Sequence, residues 1–136
     1  MSERQIDLVL PAGHTIAVRV VGTGQPIMLV HGFPLDSGIW RKQFDPLVEG
    51  GYQVIAPDLR GFGETKCFAD INFIEDMARD VAELLDDLEI EQAVIGGLSM
   101  GGYAAFNLFR IRPEKFKALI LCDTNCAADA KVKRDG

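Results

Sequence analysis

The run Gly96-Gly97-Leu98-Ser99-Met100-Gly101-Gly102 sets one serine between glycines two positions away on either side. A serine hydroxyl is a weak nucleophile until a base takes its proton. It must also project clear of the backbone to reach an electrophilic carbonyl. A sharp turn from a strand into a helix does this, and Gly97 and Gly101 are small enough to let the two elements pack closely. The start of a helix leaves unpaired N–H groups and a partial positive charge. The Met100 N–H is therefore a candidate donor to an oxyanion developing beside Ser99.

A second donor is expected from His31-Gly32-Phe33-Pro34, where the Phe33 N–H is the candidate and Gly32 lets the backbone turn without a Cβ clash. One such donor lowers the barrier by roughly 3–4 kcal/mol. His31 itself could serve as a base, but its place inside this loop reads as a residue ordering the turn by hydrogen bonding. His14, between two short apolar runs, reads as a solvent-facing turn residue. Asp58 and Arg60, in Asp58-Leu59-Arg60-Gly61-Phe62-Gly63, read as turn-stabilising.

These residues need elements to hold them. Ile6–Leu10 and Thr15–Val21 read as a hairpin, and Gly22 to Pro26 as a second turn. Ile27–Val30 and Tyr52–Ala56 read as strands covered on both faces. Between them Ile39, Trp40, Phe44, Leu47 and Val48 fall at near-helical spacing, closed by Gly50-Gly51. Asn72–Leu88 predicts a helix with Ile74, Met77, Ala78, Val81, Leu84, Leu85 and Leu88 on one stripe and the charged residues, Asp80 among them, mainly elsewhere. Asn72 with Glu75 resembles a capping box. Gln92–Gly96 predicts a strand, Met100–Ile111 a helix ended by Pro113, and Phe116–Cys122 a last strand. Strands alternating with helices call for an α/β architecture, a mostly parallel sheet with helices on both faces. In such sheets chemistry collects at the carboxyl ends of strands. His31, Asp58, Ser99 and Asp123 all stand there.

Composition bounds the reading. A chain of 136 residues fits one domain, and 48% hydrophobic with 25% charged residues is ordinary for a globular chain. The net charge of −6 argues against nucleic acid or an anionic membrane as partner. Lys131-Val132-Lys133-Arg134 reads as a solvated tail. Met1 to Gln5 shows no secretory pattern, and no apolar run approaches a membrane span. Cys67, Cys122 and Cys126 form neither a disulfide framework nor a zinc spacing, so a reducing cytoplasm is the expected location. Cys122 reads as a small buried hydrophobe. Gly22-x-Gly24 lacks a third glycine and opens no helix, so no dinucleotide, metal or other cofactor is expected.

The four pieces His31–Pro34, Asp58–Gly63, Gly97–Gly102 and Leu121-Cys122-Asp123-Thr124, in this order and spacing, resemble the amino-terminal half of α/β-hydrolase-fold serine hydrolases. The chain is most similar to the esterase, enol-lactonase and cofactor-free perhydrolase branch. The resemblance implies a truncated version of that fold with about six strands, the first two an antiparallel pair, and the later strands absent. It implies a core over residues 1–123 and the start of a cap or linker over 124–136. Serine at position 99, where dehalogenases and epoxide hydrolases carry aspartate, implies chemistry on a small ester, lactone or related acyl substrate. The family's triad runs Ser, then Asp or Glu, then His. Asp123 stands where a minority place the acid; its other reading is structural, holding the cap connection. No histidine follows Ser99. The chain is thus expected to be a fragment, inactive alone, whose strand 116–122 becomes an exposed apolar edge prone to self-association. Two other readings stay open: a non-catalytic binding member of the fold, and a half-chain completed by a separate partner.

Overall fold

The computed structural model describes residues 3–10, 13, 15–65 and 74–124. Six strands, β1 (Glu3–Val9), β2 (Thr15–Val21), β3 (Gln25–Val30), β4 (Tyr52–Pro57), β5 (Ala93–Leu98) and β6 (Phe116–Cys122), form one sheet in the order β1-β2-β4-β3-β5-β6. β2 runs against both of its neighbours, while β4, β3, β5 and β6 pair in parallel. Three α-helices connect them: α1 (Arg41–Glu49), α2 (Ile74–Asp87) and α3 (Met100–Ile111).

Side-chain alternation along the inner strands decides the layers. Met28 and Val30 of β3, Ile55 of β4 and Ile95 of β5 join Met77, Val81, Leu84 and Leu85 of α2 and Ala104, Ala105 and Leu108 of α3 in one core. Their neighbours Ile27, Leu29, Val54 and Ala56 point to the opposite face, against Trp40 and Phe44. Helices therefore cover both faces of a mostly parallel sheet, as the alternation of elements predicts.

Several local expectations are corrected. Gln25 and Pro26 belong to β3 rather than to a turn; proline is tolerated at a strand's opening residues. The stretch from Ser37 is two elements, a 3-10 turn over Ser37–Trp40 and then α1. α2 is described from Ile74, and the expected start and cap at Asn72 lie outside the described residues, as do His14, Cys67 and residues 125–136. Asp80 is buried rather than on the solvent face, because Arg60 meets it with two bonds of 2.7 Å. Cys122 is half-buried, since β6 lies at the sheet edge.

One ion cluster ties α2 to the approach to β6. Asp86 sits in the last turn of α2, where the helix dipole disfavours a carboxylate. The Arg112 guanidinium offsets this with two bonds of 2.9 Å, and Lys115 adds one of 2.8 Å. These bonds, Arg112 first, hold the Asp86 carboxyl well below the usual carboxylate range. The stabilisation is present above the unfolded pKa near ~4 and is lost as pH falls toward the folded value. Asp86 is about half exposed, so solvent screening keeps the effect small. Asp86→Asn is expected to make the loss of stability between about pH 4 and about pH 2 shallower, read from urea midpoints along a pH series.

Candidate active site

The carboxyl ends of β3, β4, β5 and β6 carry His31, Asp58, Ser99 and Asp123 respectively. Between β5 and α3 the chain reverses at Ser99, whose backbone sits at φ 52°, ψ −111°. Such a conformation costs of order 1–3 kcal/mol in a non-glycine residue and needs support from its surroundings. The Ser99 N–H donates to the Cys122 carbonyl at 2.9 Å, and the Ser99 carbonyl accepts from Gly102 N–H at 2.9 Å. The side chain is exposed.

Glycine is needed around this turn for space. A Cβ on Gly97 would lie 2.3 Å from the Gly101 carbonyl oxygen, and one on Gly101 only 2.2 Å from that of Val30. A Cβ on Gly102 would lie 2.4 Å from Cγ2 of Thr124, a contact that sequence reasoning missed. The doubled glycine was its only signal. On the other side, a Cβ on Gly32 would fall 2.9 Å from the Leu98 carbonyl oxygen and 3.3 Å from Cβ of Ser99. The loop after β3 is thus packed directly against the serine.

Two N–H groups are available nearby. Met100 opens α3, so its N–H has no carbonyl a turn earlier in the helix. The Phe33 N–H donates no backbone hydrogen bond among the described residues. The Phe33 ring is 68% exposed and meets Phe62 edge-on, with centroids 5.7 Å apart.

His31 is fully buried. Its Nε2 accepts from Leu59 N–H at 2.9 Å and its Nδ1 meets the Gly32 carbonyl at 3.0 Å. Burial pushes its pKa down, which favours the neutral ring with the proton on Nδ1. Both nitrogens are occupied in joining the two loops. Asp58 is likewise buried and accepts from the backbone N–H groups of Ser37 at 2.8 Å and Glu64 at 3.0 Å. Arg60 is held by Asp80. Asp123 is exposed, at φ 49°, one residue beyond the carbonyl that binds the Ser99 N–H. The structure thus brings Ser99, Met100, Phe33, Gly32 and Asp123 to one end of the sheet. His31, Asp58 and Arg60 lie beneath the surface loops.

Among the described residues no group of three His, Cys, Asp or Glu side chains could hold a metal ion, and no helix is long and apolar enough to cross a membrane. A sequence model of the alpha/beta hydrolase fold family matches residues 25–134. The chain is 37% identical over 109 residues to an epoxide hydrolase of Caballeronia sordidicola, covering 79% of this chain and 33% of that protein. It is 32% identical over 116 residues to a putative non-heme haloperoxidase of Mycobacterium phage D29, covering 85% and 42%. A solved thermophilic esterase from Thermogutta terrifontis, with malate bound, superposes with a TM-score of 0.87 at 39% identity, covering 97% of this chain and 50% of that one. The chain belongs to the alpha/beta hydrolase fold family, as a hydrolase-type core. It spans a third to a half of the length of these three relatives.

Proposed function

We propose that this chain is the nucleophile-bearing part of a serine hydrolase acting on a small ester, lactone or related acyl substrate. The observation that carries the reading is Ser99, exposed at φ 52° at the end of β5 with the Gly32 backbone packed against it. In the proposed reaction Ser99 Oγ attacks the substrate carbonyl carbon while its proton passes to a base. The carbonyl oxygen becomes an oxyanion facing the Met100 and Phe33 N–H groups. Expulsion of the alcohol leaves an acyl-serine ester, which water then hydrolyses. No cofactor takes part.

The likeness to an epoxide hydrolase does not extend to alkyl displacement in this reading. Serine opening an epoxide would form an ether, which water does not cleave under mild conditions. An acyl-serine is an ester and turns over. Asp123 stands one residue from the carbonyl that binds Ser99 and is the candidate acid of the site, with a structural role at the β6 end as the alternative. The odd cysteine count supports a reducing, cytoplasmic location.

The test uses acyl trapping. Prolonged incubation with p-nitrophenyl acetate is expected to leave one acetyl group on Ser99, found by peptide mass spectrometry and absent from Ser99→Ala. p-Nitrophenolate leaves far more readily than the serine alkoxide that deacylation must expel, so without a base acylation outpaces deacylation and the adduct accumulates. Acetylation confined to other residues would leave the binding-scaffold reading in its place.

The partner expected at β6 is a second copy of this chain. Among the described residues β6 pairs only with β5, and Ile120 and Leu121 are 44% and 36% exposed. The opposite edge, β1, is guarded by exposed Glu3, Arg4 and Asp7, whereas β6 carries only Lys117 as a charge. An unguarded apolar edge templates pairing. Ile120→Lys is expected to reduce self-association in sedimentation velocity; unchanged association would place the contact elsewhere.

A further inference from the structure

We propose that His31 is a positioning residue that aims the Phe33 N–H at the oxyanion, by holding the Gly32–Phe33 peptide through its Nδ1 proton. The proposal rests on the reading of Ser99 as a nucleophile. It assigns His31 a defined task rather than general support of a turn.

The argument starts from one peptide unit. The Gly32 carbonyl and the Phe33 N–H belong to the same planar group, and in a trans peptide they point in opposite directions. Fixing the carbonyl fixes the donor. The Gly32 carbonyl oxygen has two lone pairs, and both are taken: Leu35 N–H donates at 2.9 Å and His31 Nδ1 lies at 3.0 Å. The opposite side of the same peptide is the Phe33 N–H, without a backbone acceptor among the described residues. A Cβ added to Gly32 would fall 3.3 Å from Cβ of Ser99. The free donor therefore sits on a loop beside the serine, and its direction is set by what binds the carbonyl.

The imidazole can do this only in one tautomer. Nε2 accepts from Leu59 N–H at 2.9 Å, so it carries no proton, and the proton must be on Nδ1. The bond to Leu59 thus selects the tautomer that can donate to Gly32. It also ties the loop after β3 to the loop after β4, while the Phe62 ring packs edge-on against the imidazole at 5.6 Å. A ring that is fully buried and bonded at both nitrogens has little freedom to turn.

Two substitutions separate this from a purely structural role. In His31→Asn the amide nitrogen takes the place of Nδ1 and can still donate to Gly32, but the bond from Leu59 is lost. In His31→Gln the longer side chain can still accept from Leu59, but the donor to Gly32 is lost. The first readout is the orientation of the Phe33 N–H from residual dipolar couplings, with the Nδ1-protonated tautomer of wild type checked by nitrogen NMR. The Phe33 orientation is expected to match wild type in His31→Asn and to change in His31→Gln. Equal orientation in all three chains would overturn the proposal, because the Leu35 bond would then suffice. Equal change in both variants would overturn it too, as the mark of general loop damage.

The second readout is the affinity for phenylboronic acid, which forms a tetrahedral anion on a serine oxygen. It is expected to fall about tenfold in His31→Gln relative to wild type and His31→Asn, the scale of one net hydrogen bond. Affinity unaltered by Ser99→Ala would remove the serine reading alone; the dipolar couplings would still decide the role of His31.

Discussion

Gly101→Ala is expected to destabilise the chain by about 3 kcal/mol or more, although helix propensity alone predicts the opposite sign. Gly101 occupies the first turn of α3, where alanine normally gains roughly 0.5–1 kcal/mol over glycine. Here the added Cβ would meet the Val30 carbonyl oxygen at 2.2 Å and that of His31 at 2.5 Å. Both are backbone atoms, so no side-chain rotation relieves the clash. Val30 closes β3, which pairs with β4 on one side and β5 on the other, and Val30 itself is in register with Gly97. The sheet cannot move, so α3 must lift. That uncovers Ala104, Ala105 and Leu108, all buried against the sheet, and draws the Met100 N–H away from Ser99. Urea midpoints for Gly101→Ala and wild type decide the matter. A midpoint that rises would mean the helix is free to shift and the close approach does not hold the turn.

That sign reversal marks what the sequence could and could not carry. The layers were legible because β3, β4 and β5 are short apolar runs separated by amphipathic helices, and such runs have few alternatives to a covered parallel sheet. The serine turn was legible because Gly97-x-Ser99-x-Gly101 directly follows an apolar strand and directly precedes an apolar helix. Asp80 was not legible. It lies buried and paired in bidentate fashion with Arg60, 20 residues earlier, and pattern reading has no access to that pairing. The pattern around Ser99 marked Gly97 and Gly101 as packing positions but not Gly102, and Gly101 and Gly102 face different neighbours, the end of β3 and Thr124. The sequence suggested that His31 orders its loop. Which nitrogen donates, and to which carbonyl, depended on Leu59 and Gly32 meeting one ring from two loops.

A polypeptide of these 136 residues is expected to turn over p-nitrophenyl acetate no more than about 10³–10⁴ times faster than water does, however well Ser99 is placed. Loss of the base from a serine triad costs on the order of 10⁶ in kcat, and the residual acceleration comes from oxyanion donors and binding. The sequence holds two histidines, His14 and His31. His31 is buried with both nitrogens bonded, and freeing one would break the link between its two loops. His14 lies outside the described residues. Asp123 is close to the serine by sheet position, yet a carboxylate is too weak a base to deprotonate an alcohol efficiently. A diffusible base should therefore do what the chain does not. Imidazole is expected to raise the hydrolysis rate above its own background, and Ser99→Ala is expected to erase that increment. Rapid turnover without imidazole, lost in Ser99→Ala, would show that a group in this chain already serves as the base.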